Sequence, residues 1–166
     1  MKRIIIVRHA KSVPYGYDDD FNRDLTDRGI KDAEKISSKL KELKIISDLV
    51  IASPATRTMH TANIFCKNLG YDLKFIRQEV DFYDGATTQS FIDVIQKLPE
   101  DVQTIFIFGH NPSVYYLVDN LVNSFNADMP TCSTVGIDFQ VDKWAEVASR
   151  GGKVAFQYIP KGMKAK

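Results

Sequence analysis

Three nearly continuous apolar runs constrain the fold of this chain more than any other feature of its sequence. They span residues 2–7 (KRIIIV), 48–52 (DLVIA) and 102–108 (VQTIFIF), and a shorter run covers 73–76 (LKFI). Strands that are apolar on both faces are typical of a parallel sheet covered by helices, whereas a half-exposed strand alternates apolar and polar residues. The runs therefore predict strands in the centre of such a sheet.

Between these strands, apolar residues recur every three to four positions, as on a helix that buries one face. In the first such segment they are Ile30, Ala33, Ile36, Leu40 and Leu43, and in a later one Val114, Leu117, Val118 and Leu121. Thr26 is placed to cap the first helix, and Pro54 and Pro112 stand where a first helical turn is expected to begin. The predicted repeating unit is a strand, a tight loop and a helix.

After residue 130 the apolar residues alternate with polar ones, first in Val135, Ile137, Phe139 and Val141 and then in Val154, Phe156 and Tyr158. Alternation favours antiparallel strands, so we expect a hairpin at one edge of the sheet. The predicted fold class is α/β, a three-layer α/β/α sandwich with a mostly parallel central sheet and an antiparallel edge hairpin. With 166 residues, 44% of them hydrophobic, the chain is expected to form a single domain over residues 1–166.

Composition excludes several classes of protein. The net charge is +1, from 22 Lys and Arg against 21 Asp and Glu, so there is no general attraction to nucleic acid or to an acidic membrane. The apolar run at residues 4–7 is too short for a signal peptide, which predicts a cytoplasmic location. Cys66 and Cys132 have no C-x-x-C spacing, so we expect two reduced thiols rather than a disulfide or a zinc knuckle.

Polar residues follow three of the predicted strands directly. They are Arg8 and His9, the segment 53–57 (SPATR), and the segment 109–112 (GHNP). Ligands of an open α/β sheet bind beyond the carboxyl ends of its strands, so Arg8, Arg57, His9 and His110 are expected to share one pocket. Arginine holds phosphate oxygens bidentately and stays charged, and helix N-termini add N–H donors. The sequence therefore predicts a phosphoryl-binding site.

His9 is the predicted nucleophile. A neutral imidazole nitrogen can attack phosphorus and form a covalent phosphohistidine, which water then cleaves. The nearby guanidinium groups are expected to disfavour the protonated imidazole and to draw electron density from the phosphoryl oxygens. We expect no metal and no cofactor, because the three histidines lack metal-binding spacing and no glycine-rich nucleotide loop follows a strand.

The sequence resembles the histidine phosphatase superfamily, whose fold is phosphoglycerate mutase-like, and within it the small SixA-type phosphohistidine phosphatases. The resemblance lies in VRHAKS (7–12), RDLTDRG (23–29), SPATRTMHTA (53–62) and GHNPSV (109–114), with Ala10 in place of the glycine of the Arg-His-Gly signature. It implies that His9 is phosphorylated, that Arg8 and Arg57 hold the phosphate, and that His110 contacts it.

The resemblance also implies a carboxylic acid that protonates the leaving group in larger members of the superfamily. The corresponding stretch here is EVDFYDGAT, in which Asp81 is nearest to that position and Glu79 and Asp84 are rivals. A phosphohistidine substrate reduces the need for an acid, because an imidazole nitrogen leaves phosphorus more readily than an alkoxide does. The expected substrate is protein phosphohistidine or a small phosphorylated molecule, and the expected state is a monomer that binds neither nucleic acid nor membrane.

Two other functions stay open. A small-molecule phosphomonoesterase or phosphomutase of the same superfamily has the same residues, although a mutase needs a more enclosed pocket than this short chain is expected to form. A non-catalytic phosphate-binding module is the other alternative, suggested by Ala10 and by the unclear acid. Cys132 is excluded as a phosphatase nucleophile because no C-x₅-R loop follows it.

Several neighbouring residues have two interpretations. Lys11 and Ser12 lie close enough to His9 to line the pocket but also fit a solvated loop. Arg23 fits a structural pair with Asp19 or Asp20 better than a substrate contact. His60 lies on a helix and is interpreted as a surface or packing residue outside the site.

Overall fold

The structure, a computed structural model, describes residues 1–16 and 19–163. Its strands are β1 (Lys2–Arg8), β2 (Leu49–Ala52), β3 (Arg77–Gln78), β4 (Thr104–Gly109), β5 (Thr134–Phe139) and β6 (Gly152–Tyr158). Its α-helices are α1 (Asp27–Glu42), α2 (Thr56–Leu69), α3 (Thr88–Ile95) and α4 (Ser113–Leu121).

The six strands form one sheet in the order β3-β2-β4-β1-β5-β6. The four strands from β3 to β1 pair in parallel, and β5 and β6 continue the sheet antiparallel to them. This arrangement confirms the predicted fold class. The connection between β5 and β6 runs over residues 140–151 and includes the buried Trp144, so the two strands are not joined by a tight turn.

The apolar runs fill both faces of the sheet, as predicted. On β1, Ile4 and Ile6 pack into one core with α3 and α4, while Ile5 and Val7 pack into a second core with α1 and α2. All four side chains are fully buried, and each contributes about 1.5–3 kcal/mol to the free energy of unfolding. Burial on both faces leaves polar side chains only at the ends of these strands.

Helix α1 begins where its sequence indicates. The Thr26 side chain accepts a hydrogen bond from the backbone N–H of Gly29, which confirms the predicted cap. The backbone N–H of Thr26 in turn donates to the carbonyl of Lys11, and Gly29 packs against the same carbonyl so closely that a Cβ atom has no space. The start of α1 therefore anchors the loop that follows β1.

The prediction of a strand over 73–76 is wrong. Leu73–Phe75 form a 3-10 turn capped by the Asp72 side chain, and the strand follows it as the two residues of β3. Phe75 is largely exposed, so this run lacks the burial on both faces that a central strand requires. The prolines also differ slightly from prediction, since Pro54 and Pro112 lie two and one residues before the first residues of α2 and α4.

No helix in the described ranges, 1–16 and 19–163, is long and apolar enough to cross a membrane.

Candidate active site

The carboxyl ends of β1, β2 and β4 meet at one edge of the sheet, because the three strands are parallel and adjacent. Arg8 at the end of β1 is in register with Gly109 at the end of β4. The backbone N–H of His9 donates to the carbonyl of Gly109, which brings His9 and His110 together. Their ring centroids are 5.3 Å apart, and each residue is only 7% exposed.

His9 has the protonation state that a nucleophile requires. Its Nδ1 lies 2.8 Å from the carbonyl oxygen of Ala10, which can only accept, so Nδ1 carries the proton and donates. The lone pair is then on Nε2. Burial, with the guanidinium groups of Arg57 and Arg8, lowers the pKa of His9 to about 4 against the opposing effect of the Ala10 hydrogen bond. The imidazole is therefore neutral at pH 7.

His110 forms the opposite side of the site. Its Nε2 is 2.8 Å from the hydroxyl oxygen of Ser53, at the end of β2, and its Nδ1 is buried without a partner among residues 1–16 and 19–163. Burial, together with the charges of His9 and Arg57 and against the opposing effect of Asp20, lowers the pKa of His110 to about 3. His110 is therefore also neutral at pH 7 and contributes a hydrogen-bonding nitrogen.

Both predicted arginines lie beside these rings, and each keeps a nitrogen free. Arg57, in the first turn of α2, donates its two Nη groups to the carbonyl and carboxylate of Asp20. Arg8 donates Nη1 to the carbonyl of Met129, and burial lowers its pKa. The Nε atoms of both arginines are buried, with no partner in the described part of the chain.

Unpartnered buried donors are unfavourable by about 1–3 kcal/mol each, so proteins rarely keep them without a function. Here Arg8 Nε and Arg57 Nε belong to cations close to His9, and His110 Nδ1 lies on the neighbouring ring. An anion with several oxygens satisfies such a set, and a phosphoryl group is one. The structure thus brings together four of the predicted site residues: Arg8, His9, Arg57 and His110.

Arg23 and Tyr83 also belong to the site. Arg23 donates to the carboxylate of Asp20 and to Ser12 and Val13, and its charge contributes to the lowered pKa of His9. The Tyr83 hydroxyl donates to Asp20, and its ring packs edge-on against His110 with centroids 5.7 Å apart. The pairing of Arg23 with Asp20 agrees with the structural role predicted for Arg23, whereas no pattern in the sequence indicated a role for Tyr83.

Asp81, by contrast, is not placed with these residues. It is exposed in a 3-10 turn, Val80–Phe82, that buries Phe82 and turns Asp81 to the surface. There it lines a cleft with Arg77, Glu79, Ser90, Val94, Asp93 and Lys97, a set that contains none of the other predicted site residues. The position of Asp81 gives no support to the acid role that the resemblance implied.

Glu79 and Asp84, the two alternatives to Asp81, are not placed with the site histidines either. Glu79 forms an ion pair with Arg77 at 3.2 Å on the same surface. Asp84 is exposed next to Tyr83 in the chain. No contact recorded between described residues brings either carboxylate to His9 or His110.

Of the remaining residues, His60 has the surface position that was favoured, whereas two interpretations had been left open for Lys11. His60 is half-exposed and its Nδ1 is 2.7 Å from Asp24, while Lys11 is exposed. Cys66 and Cys132 are free and buried, and burial raises the pKa of Cys66 to about 12 and that of Cys132 further. Both thiols are therefore protonated at pH 7 and are not nucleophiles.

Two curated proteins are similar to this chain in sequence. An uncharacterized chloroplastic protein of Arabidopsis thaliana is 26% identical over 162 residues, which cover 91% of this chain and 72% of that protein. The mitochondrial serine/threonine-protein phosphatase Pgam5 of Drosophila ananassae is 38% identical over 85 residues. That alignment covers 51% of this chain but only 29% of Pgam5, so this chain matches less than a third of that enzyme.

A solved structure shows the same fold. The protein histidine phosphatase SixA, in complex with tungstate, superposes with a TM-score of 0.82 at 20% identity, covering 95% of this chain and 97% of SixA. In addition, the sequence model of the histidine phosphatase superfamily, branch 1, matches residues 4–111, a range that includes Arg8, His9, Arg57 and His110. The chain therefore belongs to the histidine phosphatase superfamily, branch 1, as the resemblance predicted.

Proposed function

We propose that this protein is a metal-independent phosphatase that works through a covalent phosphohistidine at His9. Membership of the superfamily supports phosphatase activity in general. The observation that carries the proposal is the neutral, buried imidazole of His9, with its lone pair on Nε2, beside two arginine Nε donors that lack partners.

In the first step, His9 Nε2 attacks the phosphorus atom. A P–N bond forms, the bond from phosphorus to the leaving group breaks, and the leaving group takes both electrons of that bond. Arg8 and Arg57 offset the negative charge that is spread over the phosphoryl oxygens while the bonds form and break. His110 offers Nδ1 on the side opposite to Ser53.

In the second step, water attacks the phosphorus atom and the P–N bond to His9 breaks. Inorganic phosphate leaves with the oxygen and both protons of the attacking water, and Nε2 regains the electron pair of the broken P–N bond. The hydrogen bond from Nδ1 to Ala10 fixes the ring in the same tautomer before and after the cycle. The lowered pKa of His9 keeps the regenerated ring neutral and ready for the next turnover.

Protein phosphohistidine is the substrate that we propose. With Asp81 turned to the surface, an activated P–N bond suits this site better than an unactivated phosphate ester. The likeness in fold to SixA, whose name describes a protein histidine phosphatase, supports the same substrate. The monomeric state stays a prediction. The cytoplasmic location also stays a prediction, since one similar plant protein is named as chloroplastic.

The test is mass spectrometry of enzyme quenched during turnover of an aryl phosphate and of a phosphohistidine peptide. We expect an acid-labile, alkali-stable phosphoryl adduct on His9, and His9→Ala should lack both the adduct and turnover. His60→Ala is the matched control, because His60 lies outside the site beside Asp24. Turnover by His9→Ala, or loss of wild-type activity in chelator, would contradict the proposal.

Product analysis separates the alternatives. Release of inorganic phosphate from a phosphorylated glycerate indicates hydrolysis of a small ester, whereas an isomerised product indicates a mutase. Tight vanadate binding without turnover of any substrate indicates a phosphate-binding module. Faster hydrolysis of phosphohistidine than of each ester, measured as kcat/KM, is the result that we expect.

A further inference from the structure

The proposed mechanism gives no role to Asp20, although three residues of the site donate to this one amino acid. Its Oδ2 accepts from the Tyr83 hydroxyl at 2.7 Å and from Arg57 Nη2 at 3.2 Å. Its Oδ1 accepts from Arg23 Nη2 at 2.8 Å and Nε at 3.2 Å. Its main-chain carbonyl accepts from Arg57 Nη1 at 2.7 Å.

Asp20 lies between two cations that otherwise repel each other. The side chains of Arg57 and Arg23 are only 6% and 14% exposed, so water screens their charges poorly. Both guanidinium groups are within hydrogen-bonding distance of the same carboxylate, which places them close together. The negative charge of Asp20 offsets the repulsion between Arg57 and Arg23, so both guanidinium groups can be held in fixed positions.

The contacts of Asp20 also determine which nitrogen of Arg57 is free. Both Nη atoms of Arg57 are held by Asp20, which fixes the plane of the guanidinium group and leaves Nε unpartnered among the described residues. The charge of Arg57 lowers the pKa of both His9 and His110, so the group lies near both rings. Through Arg57, Asp20 therefore acts on the phosphoryl-binding position.

Tyr83 connects Asp20 to the other side of the site. Its hydroxyl donates to Asp20 while its ring contacts His110 and, at a centroid distance of 5.2 Å, Phe21. Through Tyr83, the Asp20 carboxylate thus links Arg57 and Arg23 to the side of the site that holds His110.

We propose that Asp20 is a positioning residue, whose carboxylate holds Arg57, Arg23 and Tyr83 in the arrangement that binds the phosphoryl group; this inference rests on the proposed function. Asp20 acts by its charge and its lone pairs, not by transferring a proton. Burial acts to raise the pKa of its carboxyl group, but hydrogen bonds from Tyr83, Arg23 and Arg57 and the charge of Arg57 hold that pKa well below the usual range, so Asp20 is ionised at pH 7.

A competing interpretation makes Asp20 an internal anion that the substrate must displace. The pattern of paired and unpaired nitrogen atoms favours the positioning role over displacement. Arg8 Nε, Arg57 Nε and His110 Nδ1 are unpartnered, whereas Asp20 uses the Nη groups of Arg57 and the side chain of Arg23. A phosphoryl group can bind the unpartnered set while Asp20 stays in place.

The experiment compares vanadate affinity and steady-state kinetics of Asp20→Asn with those of the wild type. We expect vanadate to bind about tenfold more weakly, since charge-assisted hydrogen bonds to two arginines are lost. We expect kcat to fall by a larger factor than KM rises, because arginines held in place favour the transition state over bound substrate. A residue with only a structural role would lower the unfolding temperature without this split.

Two further variants complete the design. Tyr83→Phe removes one donor to Asp20 and keeps the ring, so it should weaken vanadate binding by about threefold, and it tests the proposal if Asp20→Asn fails to fold. Asp27→Asn removes an exposed carboxylate in the first turn of α1 and should stay within about twofold of the wild type.

Unchanged or tighter vanadate binding by Asp20→Asn overturns the proposal, and tighter binding identifies Asp20 as the competitor. Wild-type protein that binds vanadate but turns over no substrate contradicts the proposed function instead. The affinity comparison still decides the role of Asp20 in that case.

Discussion

The imidazole rings of His9 and His110 face each other at a centroid distance of 5.3 Å, inside a site that leaves each residue 7% exposed. A proton added to either ring is repelled by the positive guanidinium groups of Arg57 and Arg23, whose charges lower the pKa of both histidines. The same proximity that prepares the site for an anion therefore makes it sensitive to acid.

Acid should destabilise the fold through these two histidines. Their folded pKa values, about 4 and about 3, lie below the ordinary value of 6.5, so the unfolded chain binds more protons and stability falls as the pH falls below about 6.5. His9 alone accounts for roughly 3 kcal/mol between about pH 6.5 and pH 4. Urea unfolding at pH 7, 6 and 5 measures this loss.

His9→Ala and His110→Ala should each make the loss of stability on acidification less steep than it is in the wild type. Equal slopes in all variants would show that the two buried histidines do not take up protons on unfolding.

Asp81→Asn should change activity by no more than about twofold, both with an aryl phosphate and with a phosphohistidine peptide, since surface substitutions rarely act at a distance. The reason is that Asp81 lines a cleft with Arg77 and Ser90 and not the site of His9. Steady-state kinetics on the two substrates measures this. A large loss with the aryl ester alone would restore Asp81 as the acid and require the turn at 80–82 to rearrange.

The sequence located the site because of the positions of its strands. Arg8 ends β1, Arg57 and His110 follow β2 and β4, and the burial of those strands on both faces is directly visible as apolar runs. The cap of α1 at Thr26 was likewise predictable, because it depends on one local hydrogen bond. Features that depend on a local hydrogen bond or on the position of a buried strand can therefore be predicted from the sequence.

The side of the site formed by Tyr83 and Asp20 could not be predicted from the sequence in the same way. Tyr83 follows the two-residue strand β3, which leaves no apolar run, and the strand had been predicted several residues too early. Whether Asp81 or Tyr83 points to His110 depends on a 3-10 turn that buries Phe82. The role of Asp20 depends on contacts with residues 37 and 63 positions away in the chain.

Arg57→Lys should weaken vanadate binding and lower kcat/KM by about tenfold to hundredfold, although the charge is kept. A lysine ammonium also has three donors, but they lie on one nitrogen atom and cannot occupy the separate positions of Nη1 and Nη2, which donate to Asp20, and of the unpartnered Nε. Isothermal titration with vanadate and steady-state kinetics measure the effect. Arg28→Lys, at a side chain that is 71% exposed, is the matched control. Wild-type behaviour of Arg57→Lys would mean that charge alone is sufficient at this position.

Gly29→Ala should lower the free energy of unfolding by about 1–3 kcal/mol, because overpacking forces the neighbouring backbone to move. The new Cβ would overlap the carbonyl of Lys11, two residues after His9, which is backbone and cannot rotate away. Urea unfolding measures the cost. Ala33 is buried on the same helix, and Ala33→Gly provides a reference for the helix propensity of about 1 kcal/mol. A variant as stable as the wild type would show that the loop after β1 adjusts freely.

Ser53→Ala should lower kcat by about tenfold while the fold stays intact, because the buried Ser53 hydroxyl orients His110. The Ser53 hydroxyl is 2.8 Å from His110 Nε2 and also accepts from the backbone N–H of Ala55 at 3.4 Å. Without it, the imidazole loses its only hydrogen-bond partner among the described residues and can exchange tautomers, so the protonation of Nδ1 is no longer fixed. Steady-state kinetics and the imidazole ¹⁵N shifts of His110 report the two effects separately. Ser90→Ala, which removes a hydroxyl from the capping box of α3, is the control for the loss of a serine outside the site. A normal kcat together with an altered ¹⁵N shift would mean that the tautomer of His110 does not limit the rate.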